Sequence, residues 1–263
     1  MSSADHSTGR AEMTPHSRPA GTRTKMATKA PPASRSARPV PIVALDFPTA
    51  DIALRMVDRL GDACNFYKVG GELFTSAGPQ VVQALRALGN DVFLDLKLHD
   101  IPNTVRGAAR SAAEIGAKLL TVHATGGREM IAAAVEGAGS RCGILGVTIL
   151  TSLDAAMLRS AWGRKTLEVY GEVLRLAGDC AAEGAHGVVC SGLEASKIGA
   201  KYGDRLKLLV PGIRAAGGKV DDQKRSVTPA EAAKAGANYI VLGRMITEAR
   251  EPKSELMAVM RSI

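Results

Sequence analysis

Aromatic side chains are scarce in this chain, with one Trp, four Tyr and four Phe, 3% of 263 residues. That argues against a core built on large rings, whereas the plentiful Ala, Gly, Val and Leu suit helices packed on parallel strands. Long apolar runs are missing too. No stretch approaches the roughly eighteen residues of a membrane-spanning helix, so no membrane partner is expected. Cys64, Cys142, Cys180 and Cys190 lack any Cys-x-x-Cys spacing. This argues against a zinc ribbon or a secreted disulfide framework and points to reduced thiols in the cytoplasm. A hydrophobic share of 46% over this length supplies a sizeable core for one large α/β domain or two small ones.

The net charge of +8 is unevenly placed. Residues 1–39 hold seven Lys or Arg against Asp5 and Glu12, leaving 27 basic and 24 acidic residues for the remainder. The basicity therefore belongs mostly to a tail, and a body that binds nucleic acid is not expected. Rich in Ser, Thr, Ala, Pro and Arg and without apolar periodicity, the tail cannot bury enough surface to offset its ordering entropy. It reads as a disordered basic extension. Its acid-poor composition also resembles a transit peptide, but prolines at 15, 19, 31, 32 and 39 interrupt the amphipathic helix such a signal needs.

From residue 40 onward, β-branched apolar runs alternate with helical patterns, as in repeated βα units. The predicted strands are 40–47, 65–69, a third ending in the stretch from Asp95, 119–124, 144–150, 187–190, 206–210 and 239–242. Predicted helices include one capped by Thr49, one opening near Ser76 and Pro79, 128–135, a long one over 166–183, a short one over 194–198 and a last one from Pro252. Eight strands with about eight helices over residues 40–263 fit a single (β/α)8 barrel. A doubly wound open sheet would want a Gly-rich turn after its first strand, where this chain has Asp46-Phe47-Pro48.

Barrel enzymes carry their functional groups at the carboxyl ends of the strands. Those ends supply Asp46, Lys68, Asp95, Lys97, Asp100, His123, Thr148, Thr151, Ser152, Ser191, Arg214, Gly243 and Arg244. The stretch Asp95-Leu-Lys-Leu-His-Asp-Ile-Pro-Asn-Thr104 concentrates most charge. Strand alternation puts Asp95 and Lys97 on one face and Leu94, Leu96 and Leu98 on the other. Pro102 ends the strand, and Asn103 or Thr104 is placed to cap the next helix. Charges at a strand end are costly to desolvate unless paired or used. A lone Asp-x-Lys is most simply a structural ion pair, but Asp-x-Lys-x-x-Asp with Asp46 and Lys68 suggests an alternating network that keeps a lysine protonated as a proton donor. His123 is more simply a hydrogen-bonded core residue than a catalytic one. Gly243-Arg244 reads as a phosphate site, because a guanidinium binds phosphate bidentately beside an unobstructed backbone N–H. The Gly- and charge-rich segment between Arg214 and Val227 reads as a lid, with Gln223 in reach of the ligand.

These segments, with Ala-Leu-Asp46, Lys68-Val-Gly, Val-His123-Ala, Leu-Thr151-Ser, Pro-Gly-Ile-Arg214, Asp-Asp-Gln223 and Val-Leu-Gly243-Arg244, resemble the shorter bacterial orotidine 5'-phosphate decarboxylases over residues 40–263. The resemblance implies a homodimeric TIM barrel that converts orotidine 5'-monophosphate to UMP and CO2, without metal or organic cofactor, in pyrimidine synthesis. Carried over by motif, Lys97 protonates the carbon that loses CO2 and Asp95 lies against the departing carboxylate. Lys68 and Asp100 complete the charged chain, Asp100 and Ile101 reaching the partner's site. Asp46 and Lys68 bind ribose, Thr104 belongs to the substrate-binding stretch, Thr151 lies near the base, and Arg214, Gln223, Gly243 and Arg244 hold the phosphate. Two rivals stand beside it. Related sugar-phosphate enzymes, the keto-gulonate phosphate decarboxylases and hexulose phosphate synthases, share Asp-x-Lys-x-x-Asp but use Mg2+. A silent nucleotide- or RNA-binding barrel would use the basic tail.

Overall fold

A computed structural model of the chain describes residues 38–214 and 225–263. Expectations for residues 1–37, for Gln223 and for the rest of the segment 215–224 lie outside the described residues. Eight parallel strands close into one barrel in sequence order: β1 Val40–Ala44, β2 Phe66–Gly70, β3 Asp91–Leu98, β4 Leu119–His123, β5 Gly143–Val147, β6 Gly187–Val189, β7 Lys207–Val210 and β8 Tyr239–Leu242. The last strand pairs back onto the first, Val40 opposite Tyr239 and Val43 opposite Leu242. The single (β/α)8 barrel expected from the strand rhythm is the observed fold.

The helices are α1 Ala50–Leu60, α2 Gly71–Ala77, α3 Gln80–Ala87, α4 Pro102–Glu114, α5 Arg128–Ala138, α6 Ala155–Trp162, α7 Val169–Ala182, α8 Gly192–Tyr202, α9 Pro229–Lys234, α10 Arg244–Thr247 and α11 Pro252–Arg261. Two crossovers, β2–β3 and β5–β6, and the segment after β8 thus carry two helices where one was expected. Gly78 and Pro79 split the second crossover, because Gly78 leaves the helix at φ 63. Thr49 caps α1 as predicted, accepting a hydrogen bond from the Ile52 N–H, and Ala53, Met56, Val57 and Leu60 form its buried stripe. The start of α4 differs from expectation. Pro102 occupies its first turn and Ile101 its cap position, so neither Asn103 nor Thr104 caps it. Proline lacks only a donor that the first turn would leave unpaired.

Strand alternation sorts the apolar residues into two layers. Val43, Tyr67, Leu94, Leu120 and Val122 face outward into the layer between sheet and helices. Ile42, Ala44, Phe66, Phe93, Leu119, Leu145, Leu209 and Val241 fill the barrel interior. Helices α4 and α5, which follow the two strands most important for the site, approach closely. A Cβ at Gly137 would collide with the Arg106 carbonyl, and Arg106 Nε binds Glu136 at 2.9 Å beside it.

Candidate active site

Above the apolar filling, the carboxyl ends of the strands enclose a cavity of about 590 Å³. Its floor is Ala44, Phe93, Val147, Val189, Leu209 and Val241. Nine of the residues predicted at the strand ends line it: Asp46, Lys68, Asp95, Lys97, Thr151, Ser152, Arg214, Gly243 and Arg244. Strand β1 ends at Ala44 rather than Phe47, so Asp46 stands on the loop just beyond it.

On one side four charged groups alternate. Lys68 Nζ lies 2.7 Å from Asp46 Oδ1 and 3.7 Å from Asp95 Oδ2, and Lys97 Nζ lies 2.9 Å from Asp95 Oδ1. Exposure grades across the group, from 11% for the Lys68 side chain and 13% for Asp95 to 36% for Lys97 and 58% for Asp46. Burial alone would push the Asp95 carboxyl up. The cationic Lys68 and Lys97, with hydrogen bonds from Lys97 and Thr121, outweigh it and hold Asp95 below the usual carboxylate range. Asp95 is therefore an anion at neutral pH, wedged between two ammonium groups.

Two residues that sequence reasoning passed over shape this group. A Cβ at Gly70 would lie 3.0 Å from both Asp46 Oδ1 and Lys68 Nζ, so the glycine leaves room for the pair. Thr121, fully buried on β4, donates its hydroxyl proton to Asp95 Oδ1 and accepts from the Lys97 N–H, each at 2.9 Å. The signal for Thr121 was present: on a buried strand it shares the inward register of Leu119 and His123.

The strict alternation expected of β3 breaks at its end. Lys97 has φ 50, the one positive value outside glycine among the described residues, a conformation that costs on the order of 1–3 kcal/mol and persists only where the surroundings enforce it. The leucines still face away, Leu96 and Leu98 packing against the outer layer.

Other predicted residues are placed elsewhere. Asp100 is exposed, accepts from the Ile101 N–H at 2.6 Å and makes no ion pair among the described residues, so two aspartates rather than three meet in the cavity of a single chain. Ile101, 66% exposed, and Thr104 also face away from it. Thr148 donates to the Val189 carbonyl, and Ser191 caps α8 through a reciprocal box with Glu194. Both are structural rather than cavity groups. His123 is half-buried with its ring 5.5 Å from that of His99; burial, then the nearby His99 and Lys97, push its pKa down.

The cavity's β7–β8 side carries Arg214, Gly243 and Arg244. The Arg214 backbone N–H donates to the Val227 carbonyl at 3.0 Å. A Cβ at Gly243 would meet no atom within 4 Å, so internal packing does not demand the glycine. Arg225, unforeseen in the sequence, pairs with the buried Glu194 and donates to the carbonyls of Ile149 at 3.1 Å and Leu150 at 3.0 Å. It thereby ties the loop that carries Thr151 to the start of α8.

A family model described as orotidine 5'-phosphate decarboxylase / HUMPS matches residues 39–259. The chain belongs to this family. Among curated relatives, the orotidine 5'-phosphate decarboxylase of Anaeromyxobacter sp. (strain K) is 50% identical over 216 residues, covering 82% of this chain and 94% of that protein. The one from Halorhodospira halophila is 47% identical over 232 residues, 84% of this chain and 94% of its own length. The crystal structure of orotidine 5'-phosphate decarboxylase from Lactobacillus acidophilus superposes with a TM-score of 0.76 at 39% identity, covering 86% of this chain and 99% of that one. Within the orotidine 5'-phosphate decarboxylase / HUMPS family the Asp95–Lys97 pair is the feature whose chemistry has to be explained.

Proposed function

We propose that the chain is a carboxy-lyase that converts orotidine 5'-monophosphate to UMP and CO2 in pyrimidine nucleotide synthesis, with Lys97 as the proton donor and no cofactor. The observation that carries the reading is the position of Lys97 Nζ, 2.9 Å from an ionised Asp95 at the edge of a cavity lined elsewhere by two arginines. Breaking the bond between the pyrimidine ring and its carboxyl group leaves an electron pair on a ring carbon with no neighbouring carbonyl to accept it. A fixed ammonium beside that carbon stabilises the charge as it develops. It then transfers its proton, closing the new C–H bond, and solvent reprotonates the amine. Asp95 holds the Lys97 ammonium at the cavity through their ion pair, and its negative charge opposes a bound carboxylate at the same place.

Arg214, Gly243 and Arg244 hold the phosphate in this reading, with Gln223 assigned to the same role from its motif. Guanidinium groups suit bidentate phosphate contacts. Asp46 and Lys68 take the ribose hydroxyls and Thr151 the base. Asp100, Ile101 and Thr104, which face away from the cavity of their own chain, serve the site of a second copy in a homodimer. Among the described residues no helix is long and apolar enough to cross a membrane, in keeping with a cytoplasmic enzyme of small-molecule metabolism.

The sugar-phosphate branch of the same family is the competing reading, and its Mg2+ requirement separates the two. Here the carboxylates of Asp46 and Asp95 are engaged by lysine ammonium groups. The deciding assay follows the ultraviolet absorbance of orotidine 5'-monophosphate with purified protein and excess EDTA. Decarboxylation that persists in chelator is expected. Inactivity on this substrate, together with Mg2+-dependent turnover of a pentulose phosphate, would replace the proposal by its rival.

A further inference from the structure

Thr121 occupies the point where the regular β3–β4 ladder fails. Leu94 pairs with Leu120, but the next register pair is Leu98 with Val122, so β3 advances four residues while β4 advances two. The surplus contains both Asp95 and Lys97. Within it Lys97 takes a positive φ, and a part-buried N–H outside the regular ladder needs another acceptor. Thr121 Oγ1 is that acceptor at 2.9 Å, while the same hydroxyl lies 2.9 Å from Asp95 Oδ1.

The proton assignment is forced. An amide N–H can only donate and an ionised carboxylate can only accept, so the single hydroxyl proton points at Asp95 and a lone pair faces Lys97. Thr121 is fully buried, so its hydroxyl has no contact with bulk solvent.

We propose that Thr121 is a positioning residue for the decarboxylation, fixing the backbone of Lys97 and the carboxylate of Asp95 through one hydroxyl so that ammonium and carboxylate meet at the reacting carbon. This rests on the role given to Lys97 above. Valine matches threonine in shape and removes both bonds, whereas serine keeps the hydroxyl and loses only a methyl group. The contrast therefore separates the hydroxyl from its packing.

The test measures kcat, KM, UMP affinity and thermal midpoint for wild type, Thr121→Val and Thr121→Ser. Loss of a hydrogen bond to a charged group should lower the kcat of Thr121→Val by about ten- to a hundredfold, with KM and UMP affinity changed less than about threefold. Serine should restore kcat to within about threefold of wild type. The acid limb of the kcat profile should move to higher pH in the valine variant, because Asp95 loses a bond that favours its anion. A folded Thr121→Val protein with wild-type kcat would overturn the proposal, as would equal damage from valine and serine. Hydrogen exchange at the Lys97 amide supplies a readout independent of turnover and of any variant's folding. Strong protection is expected in wild type and in Thr121→Ser, and free exchange in wild type would refute the placement. If wild type failed to turn over orotidine 5'-monophosphate while this amide stayed protected, the assigned reaction would fall and, with it, the catalytic role of Thr121, leaving only its hold on the Lys97 backbone.

Discussion

At Asp95 burial and charge pull in opposite directions, and the two lysines win. The consequence is a pH dependence with a definite sign. A carboxyl whose folded pKa lies below its unfolded value of about 3.9 contributes stability that is complete above that value and drains away as pH falls through the lowered one. Urea unfolding of wild type and Asp95→Asn from pH 6 downward should show a wild-type advantage that narrows below about pH 4; a constant gap would mean that Asp95 is not held ionised by its neighbours. At the other end of the cavity, Arg244→Ala should weaken UMP binding by roughly 2–5 kcal/mol, read by calorimetry. Unchanged affinity would remove Arg244 from the phosphate site. The charged residues of the cavity were legible in the sequence because desolvated charge at strand ends is costly and therefore conspicuous. Gly70 was not, and the inward register of Thr121 gave its face but not its partners, since room for an ion pair and a hydroxyl filling a broken ladder exist only once neighbouring strands lie side by side.

Among the elements, the strands were read from their β-branched runs, and their ends proved the least legible part. β1 and β5 stop three residues short of the apolar runs that announced them, because pairing with neighbours rather than hydrophobicity ends a strand. The start of α4 was misread for a related reason: Asn103 and Thr104 have capping side chains, but Pro102 already fits the first turn and sets the boundary. The tie made by Arg225 also belongs to this scale, since it joins the loop after β5 to α8 through Glu194. Its side chain is 14% exposed and that of Glu194 is 7% exposed. Arg225→Ala strands a buried carboxylate, which burial already pushes toward a raised pKa, and should cost about 3–5 kcal/mol in urea unfolding. A loss below about 1 kcal/mol would reduce the tie to a surface contact.

For the whole molecule, the described chain presents Asp100 and Ile101 on the outside, just before α4, instead of in its own cavity. If a second copy receives them, Ile101→Arg should convert a dimer into monomers in sedimentation velocity, and turnover should fall in parallel. A fully active monomer would show that each barrel works alone. The closed barrel itself was legible from the strand count, since eight βα units leave few other ways to cover both faces of a parallel sheet. The proposed reaction depends on one ammonium group and the carbon it protonates. Its most direct test is the turnover of orotidine 5'-monophosphate by folded Lys97→Ala alongside UMP binding by the same sample. Decarboxylation should fall by at least about 10²-fold while UMP binding stays measurable, and a variant that decarboxylates at the wild-type rate would contradict the role given to Lys97.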